Sequence, residues 1–147
     1  LEARPEECSV KQIFATVPGA MACALASFAL HAQAPKPTST GVYTAQQAAR
    51  GAATYQSKCS LCHGAELAGD GTAPPLVGAD FLSHWTGQPA AELFEKIHAS
   101  MPSDQPGTLT AQEAADLVAF LLSSNKLPAG PSELPAATDK LKLIVVE

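Results

Sequence analysis

The pentad C-S-L-C-H, Cys59 to His63, limits this chain more than any other feature. Two cysteines two residues apart can clip half a zinc ion or cycle between dithiol and disulfide. A histidine directly after the second adds a third chemistry, covalent attachment of a c-type haem. A thioredoxin-like pair opens a helix after a strand, whereas here a helical pattern runs into Cys59 and no strand precedes it. A zinc site needs two more ligands at suitable spacing. His84 and His98 stand alone, outside any second C-x-x-C or H-x-x-x-H cluster. Haem attachment uses both thiols and leaves His63 able to reach one axial face of the iron.

The remaining cysteines agree with that reading. Of four in 147 residues, Cys8 and Cys23 lie in an N-terminal stretch that reads as an export signal over residues 1–34. Arg4 and Lys11 precede an uncharged run from Gln12 to Leu30, and Ala32-Gln33-Ala34 has the small-x-small form of a cleavage site. Ile13 to Leu30 is also long enough to span a bilayer, so an uncleaved anchor is the alternative. Either form places the body outside the cytoplasm, in the periplasm, and membrane attachment is expected only for the uncleaved form. The body then holds Cys59 and Cys62 alone, with no pair left for a disulfide framework. A net charge of −5 argues against a nucleic-acid partner, which calls for a basic stripe.

Residues 35–42 form a Pro/Ser/Thr linker with little to bury. Three helical segments follow. Thr44 and Gln47 form a capping-box pattern ahead of the first, where Ala48, Gly51, Ala52 and Tyr55 share a face. The second follows Pro89 and carries Leu93, Phe94 and Ile97. The third opens on Thr110 and Glu113, runs through Leu117, Val118, Phe120 and Leu121, and fades near Asn125. Between the first two lies a Gly- and Pro-dense stretch from His63 to Gly78, a loop of the length that is usually functional or wrapped around something. Residues 126–147 read as a Pro-rich C-terminal tail whose last residues are a short strand or a surface-docked segment.

A haem iron held by His63 needs a sixth ligand. Of two methionines, Met21 falls in the export signal, which leaves Met101 in A-S-M-P after the second helix. The domain, residues 43–125, resembles the small class I c-type cytochromes from about Tyr43 to Asn125. Four stretches in order carry the resemblance: G-A-A-T-Y, C-S-L-C-H, A-P-P-L-V-G (with Ala73 in place of the family's first loop glycine) and A-D-L-V-A-F-L.

The resemblance implies an all-α fold around one haem c, bound through two thioether bonds to Cys59 and Cys62, with His63 and Met101 as axial ligands. It further implies that Gly51 and Tyr55 sit where helices cross. The Pro74 carbonyl would accept the proton of the other imidazole nitrogen of His63, and Leu76 would pack on the macrocycle. Trp85 is either a core aromatic or a donor to a haem propionate. His84 and His98 are read as surface or core residues. A thioether opposite an imidazole raises the reduction potential and closes both axial positions, which suits outer-sphere electron transfer rather than bond-making. The expected function is therefore an electron carrier, not an enzyme, between periplasmic redox proteins: a dehydrogenase donor and an oxidase or other acceptor. S-H-W-T-G-Q-P and M-P-S-D-Q-P-G-T-L also resemble cytochromes that serve quinoprotein dehydrogenases. The alternatives are a haem-bearing subunit or fragment of a larger oxidoreductase, and a peroxide- or gas-reactive haem protein in which Met101 detaches.

Overall fold

Two capped helices crossing at a glycine set the frame of the molecule. The computed structural model describes residues 34–147, so the expected export signal, with Cys8, Met21 and Cys23, lies outside the described residues. The elements in order are β1 (Lys36–Pro37), a 3-10 turn (Thr38–Thr40), α1 (Ala45–Lys58), α2 (Ser60–His63), α3 (Ala79–Trp85), α4 (Ala90–Ser100), α5 (Ala111–Ser124), α6 (Thr138–Leu141) and β2 (Ile144–Val145). The class is all-α; the only sheet among the described residues is a two-residue clip.

Helix α5 begins with a complete capping box. The Thr110 hydroxyl accepts from the Glu113 N–H at 3.2 Å, and the Glu113 carboxylate accepts from the Thr110 N–H at 2.8 Å. Helix α1 begins with half of one. The Thr44 hydroxyl accepts from the Gln47 N–H at 3.1 Å, but the Gln47 side chain turns inward. Fully buried, it donates to the Leu134 carbonyl at 2.9 Å and accepts from the Leu134 N–H at 2.7 Å. A buried amide costs free energy unless both its ends are satisfied, and Leu134 satisfies both.

The two helices cross at Gly51. A Cβ there would lie 1.9 Å from the Asp116 carbonyl oxygen and 2.8 Å from the Phe120 Cβ, so no larger residue fits without separating the helices. Beside the crossing, Arg50 grips Asp116 with two bonds of 2.8 and 3.0 Å and reaches Glu133 at 2.9 Å. The two carboxylates raise the guanidinium pKa further above its already high value. Farther along, Tyr55 packs against Phe120 with ring centroids 5.2 Å apart. Lys58 then bonds Glu113 at 2.8 Å. Helix α4 buries Leu93, Phe94 and Ile97, as its period requires, and packs against α5 and α6.

The ends of the described chain are structural rather than appended. Residues 35–42 were expected to bury little, yet Thr38, Gly41 and Val42 are buried. Residues 126–147 pack as a strap that buries Leu134, Leu141, Ile144 and Val146. The strap is tied to the other end of the described chain through β1 and β2, which pair in parallel, Lys36 with Ile144 and Pro37 with Val145. Val146 also exchanges two backbone bonds with the α3–α4 turn, accepting from Gly87 at 2.8 Å and donating to Gln88 at 3.0 Å. The prolines that made this stretch read as a tail break its helical periodicity, but they leave its widely spaced apolar side chains free to fill the core.

Candidate haem-attachment site

The last turn of α1 delivers Cys59, whose N–H still bonds the Tyr55 carbonyl at 2.8 Å. There the backbone departs from helical geometry (φ −123°, ψ −31°) and restarts as the single turn α2. The Cys62 and His63 N–H groups both reach back to the Cys59 carbonyl, at 3.2 and 3.0 Å. A helical turn puts residues three apart on one side, so Cys59 and Cys62 present two free thiols to the same region. Between them Leu61 is 94% exposed. Burial pushes the Cys59 thiol up to about 11. That is the opposite of the depressed pKa that marks a redox-active dithiol.

Gly64 (φ 76°) ends the turn, and the loop that follows is fixed mainly by its own backbone. The Tyr55 hydroxyl donates to the Gly64 carbonyl at 2.6 Å. Burial, with Cys59 second, pushes that phenol up to about 12. Gly69 donates to the His63 carbonyl at 2.9 Å, and Leu76 to the Leu67 carbonyl at 2.8 Å. Asp70 accepts from the Thr72 and Ala73 N–H groups, both at 2.9 Å, and these bonds hold its carboxyl below the ordinary range. A Cβ on Gly69 would strike the Ala73 carbonyl at 2.3 Å, so the turn closes only around glycine.

This folding brings His63 Nδ1 within 3.0 Å of the Pro74 carbonyl oxygen. A carbonyl can only accept, so Nδ1 carries the proton and Nε2 keeps its lone pair. The donor set is therefore two free thiols on one helical turn and an imidazole oriented with a free Nε2. It fits a c-type haem. Leu76, Val77, Leu82, Trp85 and Phe120 pack on the core while staying partly exposed.

The other residues singled out by sequence fall as follows. Trp85 ends α3, its ring 6.3 Å from Phe81 and edge-on to His84 at 4.9 Å. His98 stacks on Phe94 at 5.4 Å, the packing of a structural histidine. Met101 closes α4, half-buried, its N–H bonding the Ile97 carbonyl at 3.1 Å. No hydrogen bond among the described residues joins it to the 59–78 segment. No three His, Cys, Asp or Glu side chains among the described residues cluster in a way that could hold a metal ion by themselves.

Two features escaped the sequence reading. One is α3, seven residues without a full period of apolar repeat. The other is Asn125, whose side chain bonds Leu76, Gly78 and Leu121. Its only sequence signal is an Asn at the end of a helix, the position of a local cap.

No curated protein matches the chain. Among solved structures, the sulfane dehydrogenase SoxCD from Paracoccus pantotrophus is similar at 25% identity and a TM-score of 0.46. The alignment covers 67% of this chain and 53% of that one, so the chain spans about half the length of the structure it matches. Residues 46–121 match the family described as cytochrome c oxidase, cbb3-type, subunit III. The match runs from the first turn of α1 through the C-x-x-C-H pentad to Leu121 of α5, and on it the chain belongs to this family of haem-binding, electron-transferring c-type cytochrome domains.

Proposed function

We propose that this protein is an exported mono-haem cytochrome c that carries single electrons between periplasmic redox proteins. In this reading Cys59 and Cys62 hold the haem through two thioether bonds, and His63 Nε2 and Met101 Sδ are the axial ligands. The observation that carries it is the 3.0 Å contact between His63 Nδ1 and the Pro74 carbonyl, next to two free thiols in a cytochrome domain. The haem supplies a metal centre that changes oxidation state by one electron. The chain supplies everything else. The Pro74 carbonyl holds the proton on Nδ1 and raises the basicity of His63. Tyr55, through Gly64, fixes the end of the turn that bears the imidazole. Leu76 and its apolar neighbours keep water from the macrocycle, and Leu61 lies exposed beside the attachment points, where a partner would approach.

A dehydrogenase is the donor we favour, on the resemblance of the Trp85 and Met101 segments to cytochromes that serve quinoprotein dehydrogenases. The body from residue 35 onward has seven lysines and arginines against eleven aspartates and glutamates, a net charge of −4. That excess favours a partner with a basic face, because opposite charge speeds encounter.

Met101→Ala tests the ligation. The substitution should open one axial position, abolish the weak far-red band of a methionine–iron bond in the oxidised protein, lower the potential and admit carbon monoxide. A variant with an unchanged spectrum would remove Met101 from the reading. A wild type that binds carbon monoxide readily would favour the gas-reactive alternative.

A further inference from the structure

The side chain of Asn125 is saturated. Its Oδ1 accepts from the Gly78 N–H at 2.9 Å, while its Nδ2 donates to the Leu76 carbonyl at 3.0 Å and the Leu121 carbonyl at 2.8 Å. A local helix cap needs only the last of these. The first two reach 47 and 49 residues back along the chain and grip the loop on both sides of Val77. One amide thus supplies a donor and an acceptor to one short stretch, as a neighbouring strand would.

That stretch follows Pro74-Pro75. On its other side, the Leu76 N–H is tied to Leu67 at 2.8 Å, and Leu67 is in turn bonded to Gly64 at 3.2 Å. The Pro74 carbonyl therefore lies between His63 Nδ1 and a loop end fastened to α5. Two prolines limit how far it can move independently of Leu76, because each fixes its own φ. We infer that Asn125 is a positioning residue for the haem ligand: by anchoring Leu76 and Gly78 to the end of α5, it sets the strength of the His63–Pro74 hydrogen bond. The inference rests on the proposed role of His63 as an axial ligand. It connects the α1–α5 frame, which carries no haem donor beyond Cys59, to the electronic state of the iron.

The direction of the effect follows from chemistry. A weaker Nδ1–H···O=C bond makes the imidazole less basic and a poorer donor to the metal. The oxidised state, which depends more on ligand donation, loses more than the reduced state, so the potential rises.

The test uses the haem-loaded protein and compares Asn125→Ala with Gln47→Ala. The second variant removes from α1 a buried amide of similar bonding, whose partner Leu134 lies in the strap and not in the loop. Asn125→Ala should raise the potential. In the diamagnetic reduced state it should also speed solvent exchange of the His63 Nδ1–H and the Gly78 N–H by roughly ten-fold, about the loss of one or two net hydrogen bonds. Gln47→Ala should lower thermal stability but leave the potential and both exchange rates as in wild type. If Asn125→Ala does not load haem, Asn125→Asp keeps the volume and the Gly78 contact while losing both donor contacts. It should show the faster His63 exchange, although its added charge shifts the potential by itself. An Asn125 variant whose exchange and potential move no more than those of Gln47→Ala would overturn the inference while leaving the proposed function intact. A wild type without an imidazole-ligated haem would overturn both, and its optical spectrum alone would reveal that.

Discussion

The loop from Gly64 to Gly78 and the strap from residue 126 to 147 are both proline-bearing stretches with little regular structure, yet they are held by different forces. The loop buries one large apolar side chain, Leu67, and is shaped by backbone hydrogen bonds and by glycines at positive φ. The strap buries Leu134, Leu141, Ile144 and Val146, and its backbone bonds accompany that burial. Apolar burial contributes about 1.5–3 kcal/mol for each such side chain, whereas a net hydrogen bond contributes about 1 kcal/mol. The strap can therefore hold its own place against the helices. The loop has the makeup of a segment that needs a bound group to complete its apolar contacts. A small fold gains a larger core when a macrocycle fills one side of it.

Removing the attachment points should have the largest effect. Cys59→Ala combined with Cys62→Ala should leave a chain without covalent haem after acid–acetone extraction and with much of its helical circular dichroism lost. The loop side should fail first, seen as loss of hydrogen-exchange protection between residues 64 and 78. Full helicity and unchanged loop protection in that double variant would mean that the loop, like the strap, holds itself.

A truncation in the strap should do less, and differently. Leu141 is fully buried at the end of α6, which packs against α4. Leu141→Ala should cost about 2–5 kcal/mol of stability, the range for a buried leucine that leaves a cavity. The optical spectrum of the haem and its potential should stay as in wild type. A shifted spectrum would show that the strap and the haem side are one energetic unit, and the contrast drawn above would fail.

What was legible in the sequence divides along the same line. The glycine at the α1–α5 crossing was anticipated from the family resemblance, whereas the caps at Thr44 and Thr110 and the apolar face of α4 are local signals, each complete within about a turn of helix. The donor set was legible for the same reason, since Cys59, Cys62 and His63 lie within five residues. The Pro74 contact spans only 11 residues, but family resemblance was needed to anticipate it. Gln47 looked like half of a capping box because its true partner, Leu134, lies 87 residues away. Asn125 looked like a fading helix end because its partners are 47 and 49 residues back. The strap hid for another reason. Its buried residues, from Leu134 to Val146, share no single helical or alternating period, so only the last few, read as a short strand or a docked segment, stood apart from a loose tail.

The smallest expected effect lies at a joint outside both regions, between α1 and α5. Lys58, the residue before Cys59, bonds Glu113 at 2.8 Å, and Glu113 also accepts from Thr110 at the start of α5. Lys58 first, then the Thr110 N–H and hydroxyl, hold the Glu113 carboxyl down at about 2, against an ordinary value of 4.5. A carboxylate depressed by folding binds its proton more readily in the unfolded chain. Its stabilising contribution is therefore fully present above pH 4.5, declines as the pH falls, and is gone by about pH 2. The pair is substantially open to solvent, with side chains 37% and 32% exposed, so the contribution is modest and salt weakens it. Glu113→Gln removes the charge while leaving an amide that can still reach the Thr110 N–H. Denaturant unfolding across pH 2 to 6 should show the wild type losing stability more steeply with acid than Glu113→Gln, and the two curves should draw together in high salt. Because this tie joins the end of α1 to α5 without touching the loop, the haem spectrum should not change while stability falls through that window. A spectrum that shifts in step with the Glu113 titration would instead place the joint on the haem side of the molecule.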